Sequence, residues 1–314
     1  MLLNSNSQVT EFILAGFPYL HGYQPVLFIV FLVIYIIILT GNTLILIGVI
    51  VDQRLHKPMY FFLSNLAVLD MVFTTSIIPK MLILFIFNAN TISFSACFAQ
   101  MCISHSMGQF ECFLLMVMAY DRYVAICSPL HYMSIMNKRF NILLAIMSFV
   151  VACLAIVSIS IFTAQFPFNG PNVINHCFCD HFFISRLACG DITPLTIWAM
   201  SIILIIVFIP FLLVVLSYIN ILNAILKISS AAGRKKAFST CSSHLTVVII
   251  YYISIVSSFS SYKIDVVSDE FHALGTIFFS VVTPALNPII YTLRNKDVRE
   301  AIKMFVESKI VTKI

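Results

Sequence analysis

Charged residues are scarce in this chain. They make up 10% of its 314 residues, whereas 61% are hydrophobic. A soluble domain carries about 25% charged residues, because its surface has to be hydrated. The composition therefore excludes an ordinary soluble domain and indicates a protein that crosses a membrane several times. Residues 1–10 also lack the basic segment of a cleavable signal peptide, so we expect the first apolar helix to direct membrane insertion.

Several apolar runs are long enough to cross a bilayer, which takes about 20 residues of helix. We predict seven such helices, in an all-α membrane protein built as a seven-transmembrane helix bundle. The predicted spans are 26–50, 59–86, 98–121, 140–165, 197–226, 237–261 and 271–293. They divide the chain into an N-terminal segment (1–25), the bundle (26–293), and a cytoplasmic helix and tail (294–314). No inverted repeat is evident, which argues against a transporter.

Basic residues lie mostly on one side of this predicted bundle. With the N-terminus outside, the outer segments hold only Lys80, Arg186 and Lys263. An excess of Lys and Arg on cytosolic loops is the positive-inside pattern, so we predict an extracellular N-terminus. The formal net charge of +5 then reflects topology, and we expect no nucleic-acid partner. The basic segment 234–236 is interpreted as part of a cytosolic docking face for a partner protein; attraction to anionic membrane lipids is the alternative, and the two are compatible.

The run Met118–Cys127, MAYDRYVAIC, ends the third predicted span and contains an adjacent acid and base, Asp121 and Arg122. A charge at the membrane boundary is costly unless it is paired, so such residues are functional candidates. The alternative is an Arg whose side chain merely reaches the lipid headgroups. The adjacent carboxylate and the flanking Tyr120 and Tyr123 favour a functional pair.

Five motifs occur in order along the chain, each at the end of a predicted helix. They are Gly41-Asn42, LHKPMYFFLSNLAVLD (Leu55–Asp70), MAYDRYVAICSPLHY (Met118–Tyr132), KAFSTCSSHL (Lys236–Leu245) and PALNPIIYTLRNKDV (Pro284–Val298). Together they resemble the motifs of olfactory receptors, a family of rhodopsin-like G-protein-coupled receptors. The resemblance covers nearly the whole chain. It departs in span six, where the family's usual Phe-Tyr-Gly is replaced by Tyr251-Tyr252-Ile253.

The resemblance implies a multi-pass receptor in the plasma membrane of olfactory sensory neuron cilia, with a short amphipathic helix after span seven. Such a receptor binds small, mostly hydrophobic odorants within the bundle and activates a stimulatory heterotrimeric G protein, which raises cyclic AMP. Two alternatives stay open: a non-olfactory receptor for small molecules or lipids, and a channel or carrier. The histidines are scattered and offer no spacing for a metal centre or an activated nucleophile, so no enzymatic activity is expected.

The resting and active states are expected to differ at the inner ends of the helices. The candidate switch residues are Asp121, Arg122, Tyr123, Tyr218 and Tyr291. We expect Asp121 to hold Arg122 at rest and to release it when the helices shift, so that Tyr218 and Tyr291 become its partners. The alternative role of Tyr291 is that of an aromatic residue at the membrane interface.

Four polar residues are predicted to share one layer in the middle of the membrane: Asn42, Asp70, Glu111 and Asn287. At a rise of about 1.5 Å per residue, Asp70 lies roughly 18 Å from the cytosolic start of span two, and Glu111 roughly 16 Å from Arg122. Two carboxylates in an apolar bundle cannot both stay ionised cheaply. We interpret Asp70 and Glu111 as a sodium- or proton-binding site that favours the inactive state. The alternative is a structural hydrogen-bond network, and no other cofactor is expected.

The ligand site is expected in the outer third of spans three, five, six and seven. Helical turns inward from Cys97, and the facing helices, give a mostly apolar lining with few polar groups, as ligand pockets generally have. The candidates are Met101, Ser104, His105, Gly108, Gln109, Ile202, Ile203, Ile206, Tyr252, Ile255, Val256, Phe259, Ile277 and Ser280. His105 is the candidate polar anchor, although a lone His in a bundle is more often neutral and hydrogen-bonded. An amine receptor would carry a carboxylate at Ser104, and a retinal protein a lysine within 271–293; this chain has neither.

The resemblance also implies a disulfide between Cys97 and Cys179, which would hold the second outer loop over the bundle. A second family bridge normally joins the start of this loop to Cys189, but the expected position is occupied by Asn169. We predict that the extra Cys177 replaces the missing partner in a Cys177–Cys189 bridge.

Overall fold

A computed structural model describes residues 9–17, 20, 22–259 and 269–311, with all side chains in these ranges except those of 236, 239, 240, 259, 269, 270, 294, 296 and 306–311. In chain order the helices are α1 (Gln24–Val51), α2 (Pro58–Phe87), α3 (Phe94–Cys127), α4 (Tyr132–Ile135), α5 (Lys138–Ala164), α6 (His181–Ser185), α7 (Thr193–Leu226), α8 (Ala231–Phe259), α9 (Asp269–Ile277), α10 (Thr283–Arg294) and α11 (Lys296–Val311). A π-helical turn, Phe278–Val282, joins α9 to α10, so that the two helices form one span.

Six spans within the described residues are long and apolar enough to cross a membrane: α1, α2, α5, α7, most of α8, and the α9–α10 unit. The remaining long helix, α3, is more polar because it carries Gln100, Glu111, Asp121 and Arg122, yet all four are buried. They are buried because α3 packs against α2, α5 and α7. Its polar groups thus face protein instead of lipid, and the predicted seven-helix membrane bundle is confirmed.

Local sequence signals explain where several helices begin and end. The Ser93 hydroxyl accepts a hydrogen bond from the Ala96 backbone N–H and caps α3, and Asn137 caps α5 in the same way. Helix α2 is capped by Asn88, whose φ of 51° places it in the left-handed region. These capping residues lie outside the apolar runs, which is why the helices extend a few residues beyond most of the predicted spans.

A small sheet and a disulfide hold the outer surface together. Strand β1 (Glu11–Leu14) pairs antiparallel with β2 (Thr91–Ser93) and parallel with β3 (Val173–Ile174) in the second outer loop. The Cys97–Cys179 disulfide, with a Cα–Cα distance of 5.4 Å, ties the same loop to the outer end of α3. This bridge confirms the first predicted pairing. The loop is therefore fixed over the mouth of the bundle from two directions.

The second predicted bridge, Cys177–Cys189, is wrong: both cysteines are free thiols in the structure. Cys177 is fully buried in the outer hydrophobic core. The sulfur of Cys189 instead lies against Gly170, where an added Cβ would be 3.8 Å away. The loop thus brings Cys189 to Gly170, which follows the position that the family bridge uses, and leaves Cys177 packed as a small apolar side chain.

The helix predicted after the seventh span is present as α11. Its buried face, Val298 and Ala301, packs on the inner end of α1. Gly48 lies at this contact, and a Cβ added there would be in ordinary van der Waals contact with Ile302, at 3.5 Å. The Tyr60 hydroxyl on α2 donates to Asp297 at 2.9 Å. The cytosolic helix is therefore anchored to two of the spans.

Candidate ligand cavity and cytosolic switch

A cavity of about 60 Å³ lies near the outer end of the bundle, beneath the second outer loop. Its walls come from α2, α3, α5, α7, α8, α9 and the π-helical turn. The residues that line it are Phe73, Ile77, Met101, Ser104, His105, Ile156, Ile159, Ser160, Phe178, Asp180, His181, Ile203, Ser258, His272, Thr276, Phe279 and Ser280. The lining combines aliphatic and aromatic side chains with hydroxyl and imidazole groups and one carboxylate, a composition that suits a small, partly polar ligand.

Some of the predicted ligand residues do reach this cavity. They are Met101, Ser104, His105, Ile203 and Ser280. Gly108 lies just beside it: an added Cβ there would be 3.0 Å from the Phe279 ring. The missing side chain at Gly108 therefore gives Phe279 the space to form part of the wall.

Gln109 has a different role from the one predicted. Its Nε2 donates to the Ile206 carbonyl at 2.7 Å. Pro210, one helical turn further along α7, has no N–H to satisfy that carbonyl. Gln109 supplies the missing donor across the helix interface. Its amide N–H is thus engaged in joining α3 to α7 and is not directed at a ligand.

Other predicted residues do not border the cavity. Val256 is 65% exposed, so it faces away from the bundle, and its assignment to the cavity is wrong. The Tyr252 hydroxyl lies 3.5 Å from the Cys112 sulfur, and the Tyr252 ring packs against Phe211. The side chain of Phe259 lies outside the described residues. The remaining candidates pack into the apolar clusters between helices: Ile202, Ile206, Ile255 and Ile277.

The main polar group of the cavity is one that the sequence did not reveal. Asp180, next to the disulfide residue Cys179, is carried by the second outer loop into the cavity roof. Its Oδ2 lies 3.4 Å from His105 Nε2, and its Oδ1 lies 3.6 Å from His272 Nε2. A carboxylate is therefore placed between imidazoles from α3 and α9, and it holds the loop against both helices.

Burial and hydrogen bonding perturb the ionisable groups of this loop. Burial on its own raises the pKa of Asp180, but the adjacent imidazoles of His105 and His272 outweigh it and keep that pKa well below its usual value. Burial lowers the pKa of His176 to about 4, and the pKa of His181 to about 4 as well. These two histidines are neutral at neutral pH and hydrogen-bond to threonines, His176 to Thr276 and His181 to Thr163.

In the middle of the bundle, three of the predicted polar residues meet. The Asn287 amide nitrogen lies 3.1 Å from Asp70 Oδ2 and 3.0 Å from Glu111 Oε1. Glu111 Oε2 is buried and has no hydrogen-bond partner within the described part of the chain. Asn42 does not join this cluster through its amide N–H, which donates to Ile38 of its own helix at 3.0 Å.

At the cytosolic end, Arg122 is ion-paired with Asp121 through an Nε–Oδ2 hydrogen bond of 3.0 Å, and both residues are buried. The Tyr132 hydroxyl on α4 donates to Asp121 Oδ1 at 2.7 Å. The structure thus contains the Asp121–Arg122 pair, which the sequence assigns to the resting state. Tyr218 is hydrogen-bonded to His244 Nδ1 at 2.7 Å instead of to Arg122.

The two other candidate switch residues differ in their environments. Tyr291 is fully buried, and its hydroxyl has no partner among the residues that the structure describes. Tyr123 is only partly buried, with its ring 6.2 Å from that of Tyr120. Among the described residues, the hydroxyl of Tyr291 therefore bonds to neither Asp121 nor Arg122.

Comparison with known proteins matches this arrangement to one family. A family model described as olfactory receptor matches residues 31–309. The chain belongs to the olfactory receptor family. It is 49% identical over 293 residues to olfactory receptor 2AT4 of Homo sapiens, covering 93% of this chain and 91% of that protein. Olfactory receptors 13D1 and 6N1 of Homo sapiens are 45% and 44% identical over 298 residues each, covering 95% of this chain in both cases, and 86% and 95% of those proteins.

As an olfactory receptor, the protein is an odorant-sensing G-protein-coupled receptor and a multi-pass membrane protein, and it is not an enzyme. In span six the chain has Tyr251-Tyr252-Ile253 where the family usually has Phe-Tyr-Gly, and the structure shows what these residues contact. The Tyr251 hydroxyl donates to the Gly108 carbonyl on α3 at 2.9 Å. Ile253 is 61% exposed and faces away from α3, so the loss of the family's usual glycine does not touch the cavity.

Several residues of this olfactory receptor were missed by sequence reasoning. Tyr132 and His244 lie inside motifs that were recognised, but nothing in those motifs names their hydrogen-bond partners. Asp180 had one usable signal, since it directly follows Cys179 and the disulfide carries it towards α3. His272 had none, because its approach to Asp180 depends on how α9 is rotated.

Proposed function

We propose that this receptor binds small, mostly hydrophobic volatile odorants in the outer cavity and activates a stimulatory heterotrimeric G protein that raises cyclic AMP. We further propose that it acts at the plasma membrane of olfactory sensory neuron cilia. The observation that carries the proposal is the combination of a roofed, largely apolar cavity at the outer end with a buried, ion-paired Arg122 at the inner end.

The size of the cavity supports activation by expansion. Its volume is about 60 Å³, whereas pockets that hold drug-sized ligands measure about 300–1,000 Å³. An odorant therefore has to displace side chains to enter. A ligand shifts a conformational equilibrium only by binding one state better than the other. An odorant that fits only the expanded cavity has this difference in affinity between the two states.

The polar groups of the cavity define what an odorant can offer. His105, Asp180 and Ser104 line one side, and His105 Nδ1 already contacts the Met101 carbonyl at 3.0 Å. A ligand hydroxyl or carbonyl that reaches His105 Nε2 competes with Asp180 for the imidazole. Odorants with one such group at the end of an apolar chain match this lining best.

The middle cluster is the proposed link between the two ends. Asp70 and Glu111 share the Asn287 amide, and two buried carboxylates this close need a proton or a cation. Their oxygens, including the unpaired Glu111 Oε2, suit a hard cation such as sodium. We propose that a sodium ion or a proton there favours the resting state. The double variant Asp70→Asn, Glu111→Gln should then abolish any sodium dependence of basal activity, measured as cyclic AMP. If the basal activity of the wild-type receptor does not change with sodium concentration, the proposal that a sodium ion binds there is contradicted.

At the inner end, we propose that activation separates Arg122 from Asp121 and exposes the guanidinium to the G protein. Tyr291 has an unpaired buried hydroxyl and is available to Arg122 or its waters once the helices shift. Tyr218 is available only after it leaves His244. Breaking that hydrogen bond is thus part of the proposed transition.

The test is a cyclic AMP reporter assay with a chemically diverse odorant panel, followed by two tryptophan variants. Ile203→Trp places a large ring in the cavity and is expected to abolish responses. Val256→Trp adds the same ring to the exposed face of the neighbouring helix and is expected to leave them intact. Surface expression is measured for both. Equal responses from the two variants contradict the proposed cavity. The proposed switch is tested separately: if Arg122→Ala retains full agonist-driven nucleotide exchange, it is contradicted.

A further inference from the structure

A groove on the cytosolic side of the bundle is not used by the ligand cavity or by the switch. It has a volume of about 590 Å³ and lies between the first inner loop, the start of α2, and the start of α5. Its lining consists of Val49, Leu55, His56, Lys57, Pro58, Phe61, Ser64, Met133, Met136, Asn137, Lys138, Asn141 and Ile142. The groove therefore combines apolar walls with basic and amide side chains.

Two exposed lysines stand at this groove. Lys57 precedes α2 and Lys138 begins α5. Within the described part of the chain, neither ammonium group has a hydrogen bond or an ion pair, in contrast to Arg54, which pairs with Asp52 at 2.7 Å. Both lie on the cytosolic side, where the leaflet carries negative charge. The groove thus presents two cations to an anionic partner.

A buried amide oxygen inside the groove also lacks a partner. Asn141 is 5% exposed, and its Nδ2 donates to the Met136 carbonyl at 3.1 Å. Its Oδ1 has no hydrogen bond with any described residue. A buried acceptor left unsatisfied is destabilising, so a ligand group with an N–H or O–H would be stabilised there.

The groove continues towards the membrane centre along an apolar path. A second cavity, of about 430 Å³, shares Phe61 and Ser64 with the first. Its other lining residues are Asn65, Val68, Leu69, Val72, Met107, Phe110 and Phe149. From Ser64 to Val72 this path covers about 12 Å along α2. Such a path is long enough to hold part of an acyl chain.

We propose that these two adjoining cavities together bind one anionic phospholipid of the cytosolic leaflet. Its negative headgroup lies between Lys57 and Lys138, a headgroup N–H or O–H donates to Asn141 Oδ1, and an acyl chain follows the apolar path along α2. Phosphatidylcholine fits less well, because its headgroup has no net charge and no donor. A sterol fits less well, because it brings no charge to the lysines.

Phosphatidylserine is a suitable probe, since it offers both a net negative charge and an ammonium donor. The experiment titrates the purified full-length receptor in detergent with phosphatidylserine and counts bound lipids by native mass spectrometry. Lys57→Gln combined with Lys138→Gln is expected to weaken binding of the first lipid about tenfold or more. Asn141→Leu should weaken it severalfold. The charge-preserving Lys57→Arg, Lys138→Arg variant should retain binding, which separates loss of charge from misfolding.

The matched control is Lys227→Gln combined with Lys303→Gln, which removes the same charge from the cytosolic face outside the groove. It is expected to change the affinity less than twofold. The proposal is overturned if this control weakens binding as much as the groove variant, since the attraction is then diffuse. It is also overturned if phosphatidylcholine binds as tightly as phosphatidylserine, or if cholesterol displaces the bound phosphatidylserine.

Discussion

Replacing Tyr132 by Phe removes the hydroxyl that donates to Asp121 Oδ1 at 2.7 Å and leaves the ring in place. Asp121 then keeps Arg122 as its only side-chain partner among the described residues. A hydrogen bond to a charged group contributes about 1.5–3 kcal/mol. Tyr132 is only half-buried, so the lower value applies. A loss of about 1.5 kcal/mol from the resting state alone raises the active-to-resting ratio about tenfold.

Basal cyclic AMP without odorant, divided by the amount of receptor at the cell surface, measures this ratio. The matched control is Tyr35→Phe, which removes a hydroxyl 3.0 Å from Thr75 Oγ1, far from Arg122. We expect increased basal signalling for Tyr132→Phe and no change for Tyr35→Phe. Unchanged basal activity in Tyr132→Phe would mean that its hydrogen bond to Asp121 persists in the active state, and the reasoning would be refuted.

Three further predictions concern the outer end of the receptor. Cys97→Ser opens a disulfide that spans 82 residues, which should cost about 4 kcal/mol and abolish surface expression, measured by antibody labelling of intact cells. The buried His176 and His181 have pKa values of about 4, below about 6.5 in the unfolded chain. Below pH 6.5 the unfolded chain binds more protons, so stability should fall from pH 6.5 to pH 4 by up to about 1.4 kcal/mol per unit for each histidine. Thermal unfolding in detergent at pH 7 and pH 5 checks this, and equal midpoints contradict it. His105→Phe should abolish responses to alcohols and ketones but spare alkanes in the reporter assay.

The spans and the cytosolic helix could be predicted because apolar runs and basic loops fix where a chain enters and leaves the membrane. The Asp121–Arg122 pair could be predicted because the two residues are adjacent on α3. Three members of the middle cluster could be predicted because they lie at matching depths on different helices, whereas the amide N–H of the fourth, Asn42, bonds within its own helix. Depth along a helix follows from counting residues. It does not require knowledge of loops.

The cavity could be predicted only in part, because rotation about a helix axis does not follow from counting. Val256 was assigned to the cavity and faces outward. Gln109 was assigned to the ligand site, but Pro210 creates a need for a donor that only the packed helices reveal. Asp180 was missed because its position depends on a disulfide and a small sheet that bring distant segments together. The Cys177–Cys189 bridge failed for the same reason.

The polarity of α3 has a consequence for how the receptor is made. At the centre of a membrane helix, charged residues such as Asp and Arg cost about 2.5–3.5 kcal/mol each during insertion by the translocon, and the middle of α3 carries Glu111. This helix is therefore expected to remain at the translocon until α2 and α5 pack against it and cover its polar side chains. Substitutions of Asp70 or Asn287 should then first reduce the number of receptors that leave the endoplasmic reticulum. Signalling per receptor and receptor yield need to be scored separately for every variant in this region.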